Sequence, residues 1–127
     1  MTRYYLDTSI WLDLYEKRGL NNKRAERFVQ QLGPEDELLK SDLHIMELKA
    51  LGYASEEILR IFRAARARHV HVAKRQMDDA DHIARTSHVP YGDALHAVLA
   101  RDNGAVLVSN DRDFERLRFV EIRRTDA

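Results

Sequence analysis

Four acidic residues, Asp7, Glu47, Asp93 and Asp111, hold the positions in this chain from which chemistry is most readily argued. Asp7 ends an apolar run, Tyr4-Tyr5-Leu6, and is followed by the small hydroxyl residues Thr8 and Ser9. Asp111 follows the best strand of the sequence, Ala105 to Ser109, and Asp113 stands close by. An acid at the carboxyl end of a strand lies where open α/β sheets place their ligands. Glu47 lies among Leu43, Ile45, Met46 and Leu48, and Asp93 opens a helix built mostly of core residues, Ala94, Leu95, Ala97, Val98 and Leu99. Singly, each acid has an ordinary use as a helix cap or, for Glu47, as a partner of Lys49 or an arginine. Jointly they pose a problem, because two unit charges ~4 Å apart repel by about 4 kcal/mol at an effective dielectric of ~20. Converging carboxylates must protonate or share a multivalent cation. Hard oxygen donors suit Mg²⁺ or Mn²⁺. Such an ion lowers the pKa of a bound water and stabilises charge on a phosphate, so the expected chemistry is phosphodiester hydrolysis.

The elements that must position these acids follow from the hydrophobic pattern. Arg3 to Leu6 reads as a short buried strand, then a helix from Ser9 to Arg18 that Thr8 or Ser9 can cap and Gly19 stops. Asn21-Asn22 offers a cap for a second helix, Lys23 to Leu32, with Ala25, Phe28, Val29 and Leu32 inward. Leu38 to Ser41 is a short strand, and Ser41 or Asp42 caps a helix to about Leu51, closed by Gly52. From Ser55 a helix carries Ile58, Leu59, Ile61, Phe62 and Ala65 inward, and His69 to Val72 alternates as a strand. Gln76 to Ser87 is a helix with Met77, Ala80, Ile83 and Ala84 inward, and Asp93 to Asp102 another. After Ala105–Ser109 come a short helix through Leu117 and a last strand, Phe119 to Ile122. Strands alternating with helices imply an α/β fold with a central, mostly parallel sheet.

Composition narrows the class. The chain has 127 residues, 44% apolar and 33% charged, the profile of one globular domain spanning 1–127. Lys plus Arg and Asp plus Glu both number 21, which excludes a strongly basic nucleic-acid binder but not local basic patches. Cysteine is absent, so disulfides and cysteine-based zinc sites are excluded. No apolar run approaches the roughly 18–20 residues that cross a membrane, and Asp7 and Asp13 interrupt any signal pattern. The chain is expected to be cytoplasmic and complete, with no membrane partner.

The segments Tyr5-Leu6-Asp7-Thr8-Ser9, Ser41-Asp42-Leu43-His44-Ile45-Met46-Glu47-Leu48, Pro90-Tyr91-Gly92-Asp93-Ala94-Leu95-His96-Ala97 and Leu107-Val108-Ser109-Asn110-Asp111-Arg112-Asp113-Phe114 together resemble the PIN-domain family. More narrowly they resemble the small bacterial and archaeal VapC-type toxins, in order and spacing over essentially the whole chain. The resemblance implies a PIN-like three-layer α/β/α fold and an Mg²⁺- or Mn²⁺-dependent endoribonuclease acting on RNA. It also implies a VapB-like antitoxin partner and a homodimer. By position, Asp7, Glu47, Asp93 and Asp111 match the family's acidic metal-site residues. Ser9 matches the hydroxyl residue after the first acid, and Ser109 the hydroxyl before the last, where many relatives carry Thr. Asp113 is the open case: were its segment helical, Asp111 and Asp113 would point apart, which favours Asp111. A nuclease-inactive PIN-fold module that binds RNA or protein is the alternative. A haloacid-dehalogenase-type phosphatase is disfavoured, since its second Asp would fall at Ser9.

Arg112 and Arg116, near the acids, are the candidates for holding a substrate phosphate. The basic run Arg60, Arg63, Arg66, Arg68, Lys74 and Arg75 reads equally as a solvated face or as phosphate contacts. His96 lies one turn after Asp93 and is expected to be an ordinary helix histidine, with orientation of an acid as its functional option. His69 and His71 share one side of a strand, with too few ligands in sight for zinc. Asp78, Asp79 and Asp81 read as a solvated helix start, and Trp11, Tyr15 and Phe62 as core.

Overall fold

The run Tyr4-Tyr5-Leu6 lies at the centre of a computed structural model that describes residues 1–126. These residues form β1 (Arg3–Leu6), flanked by β2 (Glu37–Ser41) and β4 (Ala105–Val108), with β3 (Arg68–Val70) and β5 (Ile122–Arg123) at the edges. The sheet order is β3-β2-β1-β4-β5 and every strand pair is parallel, in the register Tyr5↔Leu39 and Tyr5↔Leu107. Parallel strands need crossovers; six α-helices supply those up to β4, and a short 3₁₀ turn leads from β4 to β5. The α-helices are α1 (Thr8–Glu16), α2 (Gly19–Gln30), α3 (Asp42–Ala50), α4 (Ser55–Phe62), α5 (Lys74–Ser87) and α6 (Tyr91–Asp102).

Strand periodicity divides the core into two layers. Tyr4, Leu6, Leu38, Val106 and Val108 pack on Ile10, Trp11 and Leu14 of α1, Ala25 of α2, Leu48 of α3 and Ile58 and Ile61 of α4. Tyr5, Leu39 and Leu107 face the other way, onto Ala80 of α5, the apolar stretch Ala94–Ala100 of α6, and Leu43. Leu6, Leu39, Leu107 and Val108 are wholly buried, each worth roughly 1.5–3 kcal/mol of transfer free energy. The three-layer α/β/α expectation is met. Among the described residues no helix is long and apolar enough to cross a membrane.

Several local expectations are corrected. Helix α1 ends at Glu16, where Lys17 turns left-handed at φ 56°, so Gly19 begins α2 rather than stopping α1. Asn22 is not a cap of the second helix. It is buried inside α2, and its Nδ2 donates to the Asp13 carbonyl at 2.8 Å, satisfying a terminal acceptor of α1. Leu59 (60%) and Met77 (40%) are exposed. Asp78, Asp79 and Asp81 lie within α5, pairing with Lys74, Arg75 and Arg85 one turn away. The last strand starts at Ile122 instead of Phe119.

The chain runs outward from β1 to β2 and β3, then returns to the other side of β1 for β4 and β5. Strand order therefore reverses between β1 and β4. A crevice opens at their carboxyl ends, which is where such sheets bind ligands. Asp7 follows one of these strands and Ser109 the other.

Candidate active site

Asp7, not Thr8 or Ser9, caps α1. Its backbone is extended (φ −70°, ψ 169°), and its Oδ1 accepts from the Ile10 amide at 3.1 Å and the Ser9 hydroxyl at 2.7 Å. The Asp7 amide donates to the Val108 carbonyl at 3.0 Å, so the chain stays stitched to β4 one residue beyond the ladder. Oδ2 accepts from the Ser109 hydroxyl at 2.5 Å. With 6% exposure and these three donors, the Asp7 carboxylate is held in one orientation.

Ser109 ties the two strand ends together. Its Oγ donates to Asp7 and accepts from the Asp111 amide at 3.0 Å. Asp111 is extended and caps a short 3₁₀ helix, Arg112–Arg116, through the Asp113 amide at 2.9 Å. Asp93 enters in the first turn of α6, where the helix dipole favours an acid. One carboxylate oxygen from each of Asp93, Asp111 and Asp113 falls within a 4.8 Å cluster. Asp113 thus stands with Asp111, because the α-helical condition under which the two would point apart is not met. Asp111 precedes the helix in an extended conformation, and the turn after it is 3₁₀, so α-helical spacing does not apply. Burial, and then the charge of Asp111, push the Asp93 carboxyl from 3.8 to about 6, with smaller contributions from Asp113 and Asp7 that His96 partly offsets. Asp13 on α1 is also pushed up to about 6, by burial and then by Asp7 and Glu16.

Glu47 reaches the crevice from α3. It lies outside the 4.8 Å cluster, but its Oε2 comes within 3.0 Å of where a Cβ on Gly92 would stand, beside Asp93. Its Oε1 accepts from Thr8 Oγ1 at 2.6 Å and from His96 Nε2 at 2.5 Å. Burial acts to raise this carboxyl, but the hydrogen bond and charge of His96 and the Thr8 hydroxyl hold it below its usual value.

His96 is therefore more than a helix histidine in the core. A carboxylate only accepts, so the proton on the Glu47 side belongs to Nε2. Its Nδ1 lies 2.7 Å from the Tyr5 hydroxyl, which is 2.8 Å from Ser41 Oγ. Ser41 donates its amide to His44 Nδ1 at 2.8 Å, leaving His44 Nε2–H to donate to the Leu6 carbonyl at 2.6 Å. Complete burial, then the nearby charge of His96, holds the His44 pKa well below the usual range, so its ring is neutral. A connected polar chain thus runs from the backbone end of β1 to Glu47, each member satisfied. Sequence reasoning missed Thr8, Gly92, Tyr5 and His44 in these roles. The only signal was for His96, whose spacing of three from Asp93 places both on one helix side.

A family model described as "PIN domain" matches residues 4–120. The chain belongs to the PIN-domain family. Among solved structures, VapBC-1 from nontypeable Haemophilus influenzae is similar with a TM-score of 0.75 at 26% identity, covering 99% of this chain and 100% of that one. VapBC2 from Rickettsia felis, bound to a DNA fragment from its promoter, gives 0.75 at 16% identity, with 97% and 98% covered. The Mycobacterium tuberculosis toxin VapC20, described as cleaving the sarcin-ricin loop, gives 0.72 at 22%, with 94% and 98% covered. Among curated proteins nothing matches.

The two arginines beside the acids of this PIN domain differ. Arg112 is exposed on the 3₁₀ turn, whereas Arg116 Nη1 donates to the His88 carbonyl at 3.0 Å, where α5 ends in a left-handed residue. Arg116 is thus engaged in holding the loop before α6. Of the basic run, Arg68 pairs with Glu37 at 3.1 Å, Lys74 with Asp78 at 2.9 Å and Arg75 with Asp79 and Asp102 at 3.5 and 3.4 Å. Trp11 is wholly buried, edge-on to Phe62 at 5.3 Å between centroids, and belongs to the core.

Proposed function

We propose that this chain is a VapC-like endoribonuclease whose carboxylates hold Mg²⁺ or Mn²⁺. The observation that carries the proposal is the gathering of Asp93, Asp111 and Asp113 beside a fixed Asp7, with burial and like charge raising Asp93 to about 6. A donor set of hard oxygens that repel one another suits a small divalent cation, which removes that repulsion. Asp7, Glu47, Asp93 and Asp111 would hold it, with Asp113 beside them. Bound there, such an ion supplies an activated water and neutralises charge on the scissile phosphate.

The chain's own residues do the positioning. Ser9 and Ser109 fix the Asp7 carboxylate, and Ser109 also fixes Asp111 through its amide. His96 and Thr8 hold Glu47 ionised and aimed into the crevice. Arg112 on the rim meets an RNA phosphate as a positioning contact, while Arg116 acts through the loop it holds. An antitoxin resembling VapB is the proposed protein partner, supported by solved relatives that are VapBC complexes. Exposed Leu51 and half-buried Leu12, which line a hollow with Thr8, Ser9 and Glu47, also support it. A homodimer in the cytoplasm completes the proposal.

The test is cleavage of a labelled RNA pool by purified protein with Mg²⁺ or Mn²⁺ against EDTA, beside Asp93→Asn. Metal-dependent cleavage lost in the variant is expected. Folded wild-type protein, free of any antitoxin, that binds RNA yet cleaves none of the pool with either metal would favour the binding module.

A further inference from the structure

We propose a second, separate metal site at Asp42, His69 and His71, for a divalent ion of the Zn²⁺ type. His69 lies in the edge strand β3 and His71 just past it, two residues apart and so on one side. Asp42 is the first residue of α3, and it joins them because β2 and β3 pair in parallel up to Ser41↔Val70. Its two oxygens are divided between the imidazoles: Oδ1 lies 2.7 Å from His69 Nε2 and Oδ2 lies 3.3 Å from His71 Nδ1. The Val72 amide donates to Oδ2 at 3.0 Å and holds the carboxylate in that orientation. The two rings meet edge to face, 5.0 Å between centroids, and one donor atom from each residue falls within 4.8 Å of the others.

These separations are close to those of a coordination shell. Tetrahedral bonds of ~2.0–2.1 Å place neighbouring donors roughly 3.3 Å apart, inside the 4.8 Å that spans the three donor atoms. Two imidazoles and one carboxylate leave a position for water, and the His71 side chain, 84% exposed, opens the cluster to solvent. Imidazole nitrogen selects Zn²⁺, Ni²⁺ or Cu²⁺ over Mg²⁺ and Mn²⁺, which prefer the oxygen cluster of the crevice. One feature opposes a cation: Lys40 Nζ stands 2.8 Å from His69 Nδ1, with Phe62 beneath it at 4.9 Å. Lysine only donates, so His69 Nδ1 accepts and Nε2–H donates to Asp42; an ion at Nε2 must shift that proton to Nδ1 and displace Lys40, so removal of Lys40 has a defined consequence.

The ion fastens β3 to the start of α3, the helix that carries Glu47, and so stabilises that edge of the sheet. The site shares no residue with the acidic crevice and stands whether or not the chain cleaves RNA.

The experiment is calorimetric titration of ZnCl₂ into the full chain with excess Mg²⁺ present, with melting temperatures measured in parallel. Wild type and Asp93→Asn should both bind one equivalent and melt higher with Zn²⁺. His71→Ala changes an exposed side chain and should keep its fold, yet bind about tenfold or more weakly with no Zn²⁺-dependent rise. Lys40→Met should bind more tightly than wild type. Absence of binding by wild type, equal binding by His71→Ala, or loss of binding in Asp93→Asn overturns the proposal, the last by locating Zn²⁺ in the acidic crevice.

Discussion

Asp93→Asn should stabilise the metal-free protein, although it removes a residue proposed to be essential. The Asp93 carboxyl ionises at about 6 instead of 3.8, through burial first and the charge of Asp111 second. Its folded pKa is above its unfolded one, so between those values the folded state holds the extra proton. Stability therefore falls as pH rises from about 4 to about 6 and stays reduced above. That rise in pKa corresponds to roughly 3 kcal/mol. The side chain is only about half buried, so solvent screening reduces the usable figure to ~1–2 kcal/mol. Asparagine keeps the shape and cannot ionise. At pH 8 in EDTA the variant should gain ~1–2 kcal/mol in urea unfolding, or roughly 3–8 °C in Tm. At pH 4 the gain should vanish, because wild-type Asp93 is then protonated in the folded state. Added Mn²⁺ should reverse the order at pH 8 by stabilising wild type alone. A variant less stable than wild type at pH 8 without metal would refute the reasoning. Asp93 would then be a first-turn acid stabilised by the helix dipole instead of one member of a repelling cluster.

Three further perturbations separate positioning from charge. Gly92→Ala sets a Cβ 3.0 Å from Glu47 Oε2. RNA cleavage should drop about tenfold or more, while urea unfolding changes by less than ~1 kcal/mol, since alanine suits the helix. Ser109→Ala removes the hydroxyl shared by Asp7 and Asp111 and should weaken Mn²⁺ binding roughly 10- to 100-fold by calorimetry, with little change in the far-ultraviolet dichroism. His96→Ala removes one of the two partners of the Tyr5 hydroxyl and of Glu47 Oε1, leaving Ser41 and Thr8, and should cost ~1–3 kcal/mol in urea unfolding, part of which His96→Gln restores by supplying an amide donor.

The sequence by itself determined the layers and the order of elements. Strand runs such as Ala105–Val108 and the apolar stretch of α6 carry their period locally, and a parallel α/β sheet follows from their alternation. It also located the acids of the crevice, because Asp7 and Asp111 each follow a strand and strand ends of a parallel sheet converge. Tertiary structure decided which atoms meet. Thr8 and Ser9 both read as caps, yet Asp7 is the cap, because Thr8 turns to Glu47, 39 residues away, and Ser9 to Asp7 itself. Asp113 joined the cluster because the turn after Asp111 is 3₁₀, a distinction that lies in backbone angles and not in residue pattern. The pairing of His96 with Glu47 spans 49 residues, and that of Ser109 with Asp7 spans 102. Asp42 meets its two histidines across 27 and 29. Contacts of that range leave no periodic trace, since each depends on how two separately formed elements dock. Only the folded packing brings those side chains into reach of one another.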